Sequence, residues 1–353
     1  MLNWVLNKLS TFFMRKIIFL FLLFMNVLSY SQPISGRVVD ENNTPLEGVL
    51  VYLDNTSIAT NTDKFGNFQL SNKDKLQTNV VFRFPSYQTQ VLPLQTNYYV
   101  KLITNTTELH EIVIQKSKFS RKQLMAAFKE NFLGTTKAGK NCKILNEDEI
   151  NLYYDSKKFV LEAYCDVPIQ IQNDYSEYII DFDLSKFETQ YTHYTLNKTG
   201  IKSNMFYGTS VFKDISIGNS AYKNRQKLYN GSSTHFFYNV INAIQNSNEF
   251  ILYDGSFPAS FSQHFEVVPF DDKFILRVIS PDKYKIEGLV KIPWSKRFNV
   301  LFNKSDQSIL IFKGKEIIID KYGNYQPITS LLFGGAWSQS RLGNMLPLDF
   351  NKK

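Results

Sequence analysis

Between residues 33 and 103 the apolar side chains recur at every second position, and turn formers interrupt them every few residues. A period of two suits a strand that buries one face, and no helical spacing competes with it. The pattern predicts seven short strands, at Ile34–Val39, Gly48–Leu53, Ser57–Thr62, Asn67–Ser71, Asn79–Phe84, Tyr87–Pro93 and Tyr98–Ile103. Strands this short at regular spacing imply a two-sheet sandwich. Asp63-Lys64-Phe65-Gly66 reads as a tight turn in which Gly66 takes a positive φ, and Phe68 beyond it is expected in the core. Pro45 and Gly48 bracket the loop before the second strand.

The turn and core residues also carry a resemblance. Gly36-Arg-Val38-Val-Asp40, Pro45-Leu46-Glu-Gly48-Val49, Thr60-Asn-Thr62-Asp63 and Gly66-Asn-Phe68 resemble the carboxypeptidase regulatory-like domain. The resemblance implies a prealbumin-like sandwich, of the kind that extends outer-membrane receptors of Bacteroidetes-type bacteria at their N-terminus. These motif residues serve turns and core, so they specify a fold and no active site. Peptidases that share the module need a zinc site with an H-x-x-E pair. Here His110, His193, His235 and His264 all lack a glutamate three residues on, and no H-E-x-x-H occurs. Neither metal nor cofactor is expected. Leu109-His-Glu111-Ile-Val-Ile114 is strand-like and resembles the segment leading into the plug of TonB-dependent receptors, so residues 104–117 are read as linker and strand.

Residues 118–353 predict a mixed α+β domain with two helices among many strands, making the whole chain mainly β. The first helix starts at Ser120, where Ser120-Arg-Lys-Gln123 fits a capping box, and Gly134 ends it. The second is expected over His235–Gln245, opened by Gly231-Ser232-Ser233. Asn141–Asn146, Tyr229–Ser232 with His235–Phe237, and Gly343–Phe350 resemble a group of exported Bacteroidetes proteins. In that group a regulatory-like sandwich precedes an uncharacterised β-rich domain.

Residues 1–31 read as an export address. Met14-Arg15-Lys16 is a basic start, Ile17–Met25 an unbroken apolar run, and Ser29-Tyr30-Ser31 a small-x-small site before Gln32. Residues 1–13 are extra material ahead of the signal. The apolar run is about half the ~20 residues a spanning helix needs. The formal charge of +8 falls to +5 once Lys8, Arg15 and Lys16 are removed, and no dense basic block points to nucleic acid.

Several constellations could carry chemistry. Ser232 beside His235 is the most enzyme-like pair, yet no G-x-S-x-G elbow exists and a helix N-cap explains the serines. Gly134–Asn141 nearly spells a P-loop but ends in Asn, without the Mg²⁺-binding hydroxyl, and reads as a helix stop and loop. Cys142 and Cys165 could pair in an oxidising compartment if they lie on neighbouring strands, or stay as separate buried thiols. Asp181 and Asp183 share a strand face and read as solubilising charge. Lys283, Lys285, Lys291, Lys296 and Arg297, with Tyr284, Trp294 and Phe298 between them, could meet an anionic glycan or form a solvated face. Gly343–Phe350 is apolar and is expected to pack back on its own domain.

The reading that results is an exported cell-envelope protein of the periplasm or outer membrane. Its sandwich would act as a docking or binding module for an envelope protein or a glycan, with no nucleic-acid partner. The alternatives are an envelope hydrolase with an unfamiliar site in 118–353, and a small outer-membrane-associated receptor or barrel component. The missing zinc ligands, nucleophile elbow and P-loop weigh against an enzyme.

Overall fold

A computed structural model describes residues 33–105, 118–245, 249–279, 286–287, 290–291 and 294–350. The export segment 1–31, most of the linker and Lys283–Lys285 of the basic stretch lie outside the described residues. Of the described residues, no helix is long and apolar enough to cross a membrane.

All seven expected strands are present: β1 (Ile34–Val39), β2 (Leu50–Leu53), β3 (Ala59–Asn61), β4 (Asn67–Leu70), β5 (Val80–Arg83), β6 (Gln90–Leu92) and β7 (Asn97–Lys101). They form one sheet in the order β4-β1-β7 and a second in the order β3-β2-β5-β6. Val38, Val49, Val51, Leu53, Val80, Phe82 and Leu102 are sealed between them. The motif residues hold this geometry. Asp40 Oδ1 accepts the N–H groups of Asn42 and Thr44, each at 2.8 Å. Asp63 Oδ1 accepts those of Phe65 at 2.8 Å and Asn67 at 2.9 Å. Pro45 bridges to Val39, Gly48 takes a φ of +79°, and a Cβ on Gly36 would sit 2.4 Å from the Tyr98 carbonyl oxygen. Phe68 is buried edge-on to Phe82, with ring centroids 5.6 Å apart.

Beyond the linker the chain builds two further cores. The first collects on one face of a sheet made of β8 (Cys142–Ile144), β9 (Asn151–Asp155), β10 (Val160–Tyr164), β11 (Ile169–Asn173), β12 (Tyr178–Tyr191) and β13 (Ile201–Asp214). The order is β8-β11-β12-β10-β9, with β13 along the other edge of β12. The helix Arg121–Phe132 covers this face, capped by Ser120 in the expected capping box. Its Phe128 and Phe132 pack on Phe187 and Phe182 of β12.

The second core lies between two sheets and the helix Ser233–Ile241. One sheet runs β15-β14-β20-β21-β24, from β14 (Phe250–Asp254), β15 (Phe257–Ala259), β20 (Lys296–Phe302), β21 (Asp306–Phe312) and β24 (Leu331–Gly335). The other runs β16-β17-β22-β23, from β16 (Phe265–Phe270), β17 (Lys273–Val278), β22 (Glu316–Asp320) and β23 (Tyr325–Gln326). Ile286–Glu287 and Val290–Lys291 pair as a two-stranded ladder, β18 and β19. Both expected helices are present, and shorter ones join them at Lys137–Lys140, Tyr222–Tyr229 and Phe261–His264. The mainly β fold with a mixed second half therefore stands. Phe261–His264 forms a helical turn on a Ser260–Gln263 capping box, and the strand begins at Phe265. One local reading changes. The P-loop-like segment is a capped helical turn rather than a loop, with Thr136 Oγ1 accepting the Gly139 N–H at 3.2 Å.

The sandwich is fastened to the β12–β13 end of the first sheet. Thr56 bridges in parallel to Val211, the Asn55 N–H reaches Ser210 O at 2.7 Å, and the Phe212 N–H reaches Thr56 O at 2.8 Å. Arg83 pairs with Asp181 at 3.0 Å, Thr89 donates to Asp183 at 2.9 Å, and Tyr52 meets Thr209 at 3.0 Å. Asp181 and Asp183 thus hold the sandwich rather than serving solubility alone. The Gly343–Phe350 segment packs back on its own domain and also crosses to the sandwich. The Gly343 N–H reaches Leu133 O at 3.0 Å, the Leu348 N–H reaches Asn55 O at 2.8 Å, and Asp349 accepts from the Ser57 N–H at 2.9 Å.

This junction buries a titratable group. Asp54 Oδ1 accepts the Ser210 N–H at 2.9 Å, while burial raises its carboxyl to about 6, only partly offset by that bond and one from Asn55. An acid whose folded pKa is raised favours the folded state while protonated. Its contribution is complete below about pH 4 and is lost as pH rises towards about 6. Asp54→Asn keeps the Oδ1 acceptor and removes the charge. It should stabilise the protein at pH 7.5 by roughly 1–3 kcal/mol and make little difference near pH 4.5. Urea melts of both proteins at the two pH values check this, and an equal difference at both would refute it.

Candidate functional site

The Ser232–His235 pair comes together as a cap and not as a catalytic couple. Ser232 Oγ accepts the backbone N–H of His235 at 3.1 Å, the N-cap bond of the helix Ser233–Ile241. His235 Nδ1 accepts the Gly231 N–H at 3.2 Å, so a proton on the ring belongs on Nε2, which lies 3.9 Å from Glu249 Oε2. The ring is 3% exposed and stacked among Tyr229, Phe250 and Phe302. A base needs its lone pair aimed at the nucleophile, and here that lone pair is spent on the backbone.

The cysteines are both free. Cys142 lies on β8 and stands level, through Asn173 of β11, with Tyr178 of β12, while Cys165 follows β10, whose Ala163 stands level with Phe187 of β12. β11 and β10 thus lie end to end along one edge of β12, and at ~3.3 Å per residue the cysteines are roughly 20 Å apart, well beyond disulfide reach. Each thiol contacts a carbonyl instead, Cys142 that of Ala138 at 3.4 Å and Cys165 that of Glu149 at 3.5 Å. Burial pushes the Cys142 thiol up to about 12 and raises Cys165, the opposite of what a reactive thiolate needs. Among the described residues, no three His, Cys, Asp or Glu side chains converge to hold a metal ion. Of the basic stretch, Lys296 is described: it pairs with Asp254 at 2.7 Å and lies over the Phe298 ring.

A cleft of ≈ 790 Å³ lies in the second half of the chain. It opens where the two cores of the second half meet, with Asn55 of the sandwich and Met345–Leu348 of the tail also on its wall. Trp337 anchors one side. Its Nε1 donates to Gly231 O at 2.6 Å and its ring packs on Phe236 and Phe333. Ser232, Ser233 and Thr234 at the helix start, Tyr322, Asn324 and Asp306 add polar groups. Arg341 brings the charge. Its Nη1 donates to the carbonyls of Ser338 and Ser340, and burial works against its positive charge. Arg341 makes no ion pair with any described residue, and Lys227 stands exposed on the same wall. Aromatic walls with a few converging polar groups are features of a site for an organic ligand.

Sequence reasoning found Ser232 and its neighbours but missed Trp337, Arg341, Tyr322 and Asn324. These come from segments up to about a hundred residues apart in the chain, and no local spacing links them.

The architecture is that of a small two-sheet sandwich fixed to a larger β-rich body. Residues 34–114 match the family model of the CarboxypepD_reg-like domain. The chain is also similar to the TonB-dependent receptor SusC of Bacteroides thetaiotaomicron, with 34% identity over 106 residues. That match covers 29% of this chain and 10% of the receptor.

Proposed function

We propose that this is an exported cell-envelope binding protein, in which the regulatory-like sandwich is a fixed docking module and the cleft takes the ligand. The cleft carries the reading: residues of both large cores, Asn55 of the sandwich and Met345–Leu348 of the tail line it, so an occupant meets all four. The chain's similarity to part of a TonB-dependent receptor, together with the export address read in residues 1–31, supports an envelope location and a partner that is an envelope protein or a glycan. The hydrolase alternative is disfavoured by the occupied His235 lone pair.

A photo-cross-linking residue at Asn324 or Ser340, both on the cleft wall, tests this in intact cells. Each should yield an adduct with an envelope component, while the same residue at Ser216, on the loop after β13, should not. Adduct formation should fall at least tenfold on Arg341→Ala, because a half-buried guanidinium with no acid partner among the described residues is the strongest recognition element in the cleft. Equal labelling from all three positions would overturn the reading.

A further inference from the structure

β13 is fourteen residues long, and its outer edge is used over only part of that length. Near its C-terminal end the sandwich caps it: Ser210 O accepts from Asn55, Ser210 N donates to Asp54, and Phe212 N donates to Thr56. The backbone groups of even-numbered residues therefore face the edge, and strand alternation puts those of Asn204, Phe206 and Gly208 on it too. The irregularity at Leu184/Lys186 lies on β12 and leaves the alternation of β13 intact. Among the described residues nothing pairs with this half of the edge. Natural edges are usually guarded by charge, proline or a cover. Ser203-Asn-Met-Phe-Tyr-Gly208 holds neither charge nor proline. On the outer face of this segment Met205 is 44% and Tyr207 46% exposed.

We propose that the open half of this edge pairs antiparallel with the same strand of a second copy, about a two-fold axis at Phe206. The interface continues the one the sandwich already makes, and the sandwich on each copy confines the pairing to the open half. The occupant follows from self-complementarity. Centring on Phe206 sets Asn204 against the partner's Gly208 and Phe206 against itself, all with backbone groups aimed across the seam. Met205 then stands opposite the partner's Tyr207 at a non-hydrogen-bonded site, where antiparallel side chains come closest. The two exposed apolar side chains cover each other as a sulfur–aromatic pair on both sides of the axis. Phe206 also lines the cleft, but the pairing is carried by the strand edge and does not need the cleft to take a ligand.

Sedimentation equilibrium of the purified protein tests it with two double variants. Met205→Lys/Tyr207→Lys places lysine opposite lysine twice and should weaken the dimer at least tenfold. Met205→Lys/Tyr207→Glu places lysine opposite glutamate twice and should restore it. Both positions are half-exposed, so melting temperatures should stay near wild type and exclude misfolding. The proposal is overturned if the wild-type protein is monomeric at about 100 μM, a weak limit for a real interface. It is overturned equally if the two variants dimerise alike. In a monomer, slow amide exchange at Phe206 and Gly208 would assign the edge to another segment of the same chain.

Discussion

Gly66→Val should unfold the sandwich or cost it roughly 3–4 kcal/mol, a large share of what a domain this small can hold. Two effects combine. Gly66 has a φ of +77°, where a β-branched residue is strained by about 1–3 kcal/mol. A Cβ there would also lie 2.3 Å from the Val38 carbonyl oxygen, and that contact is backbone in β1. Yielding would pull apart the bond from Val38 N–H to Gly66 O, now 2.8 Å, which ties the turn to the strand. Gly255 separates the two effects, because its φ is +63° but a Cβ there meets nothing within 4 Å. Gly255→Ala should cost only about 1 kcal/mol. Urea melts followed by circular dichroism compare the two, and equal costs would remove the close approach as a cause.

Such local constraints are why the sandwich could be read from the chain. Asp40 and Asp63 each accept N–H groups two and four positions on, the Gly66 N–H closes its turn on Asp63 O, and β4 and β7 alternate exposed and buried side chains along their length. In the second half legibility falls where burial depends on distant partners. Ile201–Asp214 was not apparent as a strand because Met205-Phe206-Tyr207 is an unbroken apolar run. Phe206 enters the first core while its two neighbours face outward. Cys142 and Cys165 belong to strands at opposite ends of one edge of β12, which their spacing in the chain does not reveal. The cleft is the extreme case, since Trp337 and Gly231 meet only after both large cores have formed.

Helix Tyr222–Tyr229 was missed for a related reason: its one buried residue is Arg225, which no apolar periodicity could reveal.

That arginine carries the second large effect. Its guanidinium reaches both oxygens of Asp214 at 2.7 Å, the Ser176 carbonyl at 2.7 Å and the Glu177 carbonyl at 3.0 Å. Its plane lies 3.7 Å over the Tyr178 ring. The helix, the turn before β12 and the end of β13 are joined through this one side chain. Arg225→Met retains most of the volume and strands these acceptors. Loss of one partner of a buried pair costs about 3–5 kcal/mol, but Asp214 is 47% exposed and can rehydrate, so about 2–3 kcal/mol is expected. Arg225→Lys should recover little, because a point charge cannot fork to a carboxylate and two carbonyls at once. The pH dependence gives a second readout. The Arg225 guanidinium holds the Asp214 carboxyl well below the usual carboxylate range. A depressed folded pKa stabilises above the unfolded value, and that contribution is lost as pH falls below about 4. The gap between wild type and Arg225→Met should therefore be widest at neutral pH and close progressively below pH 4. A gap unchanged down to pH 2 would mean that the arginine acts through packing on Tyr178 alone.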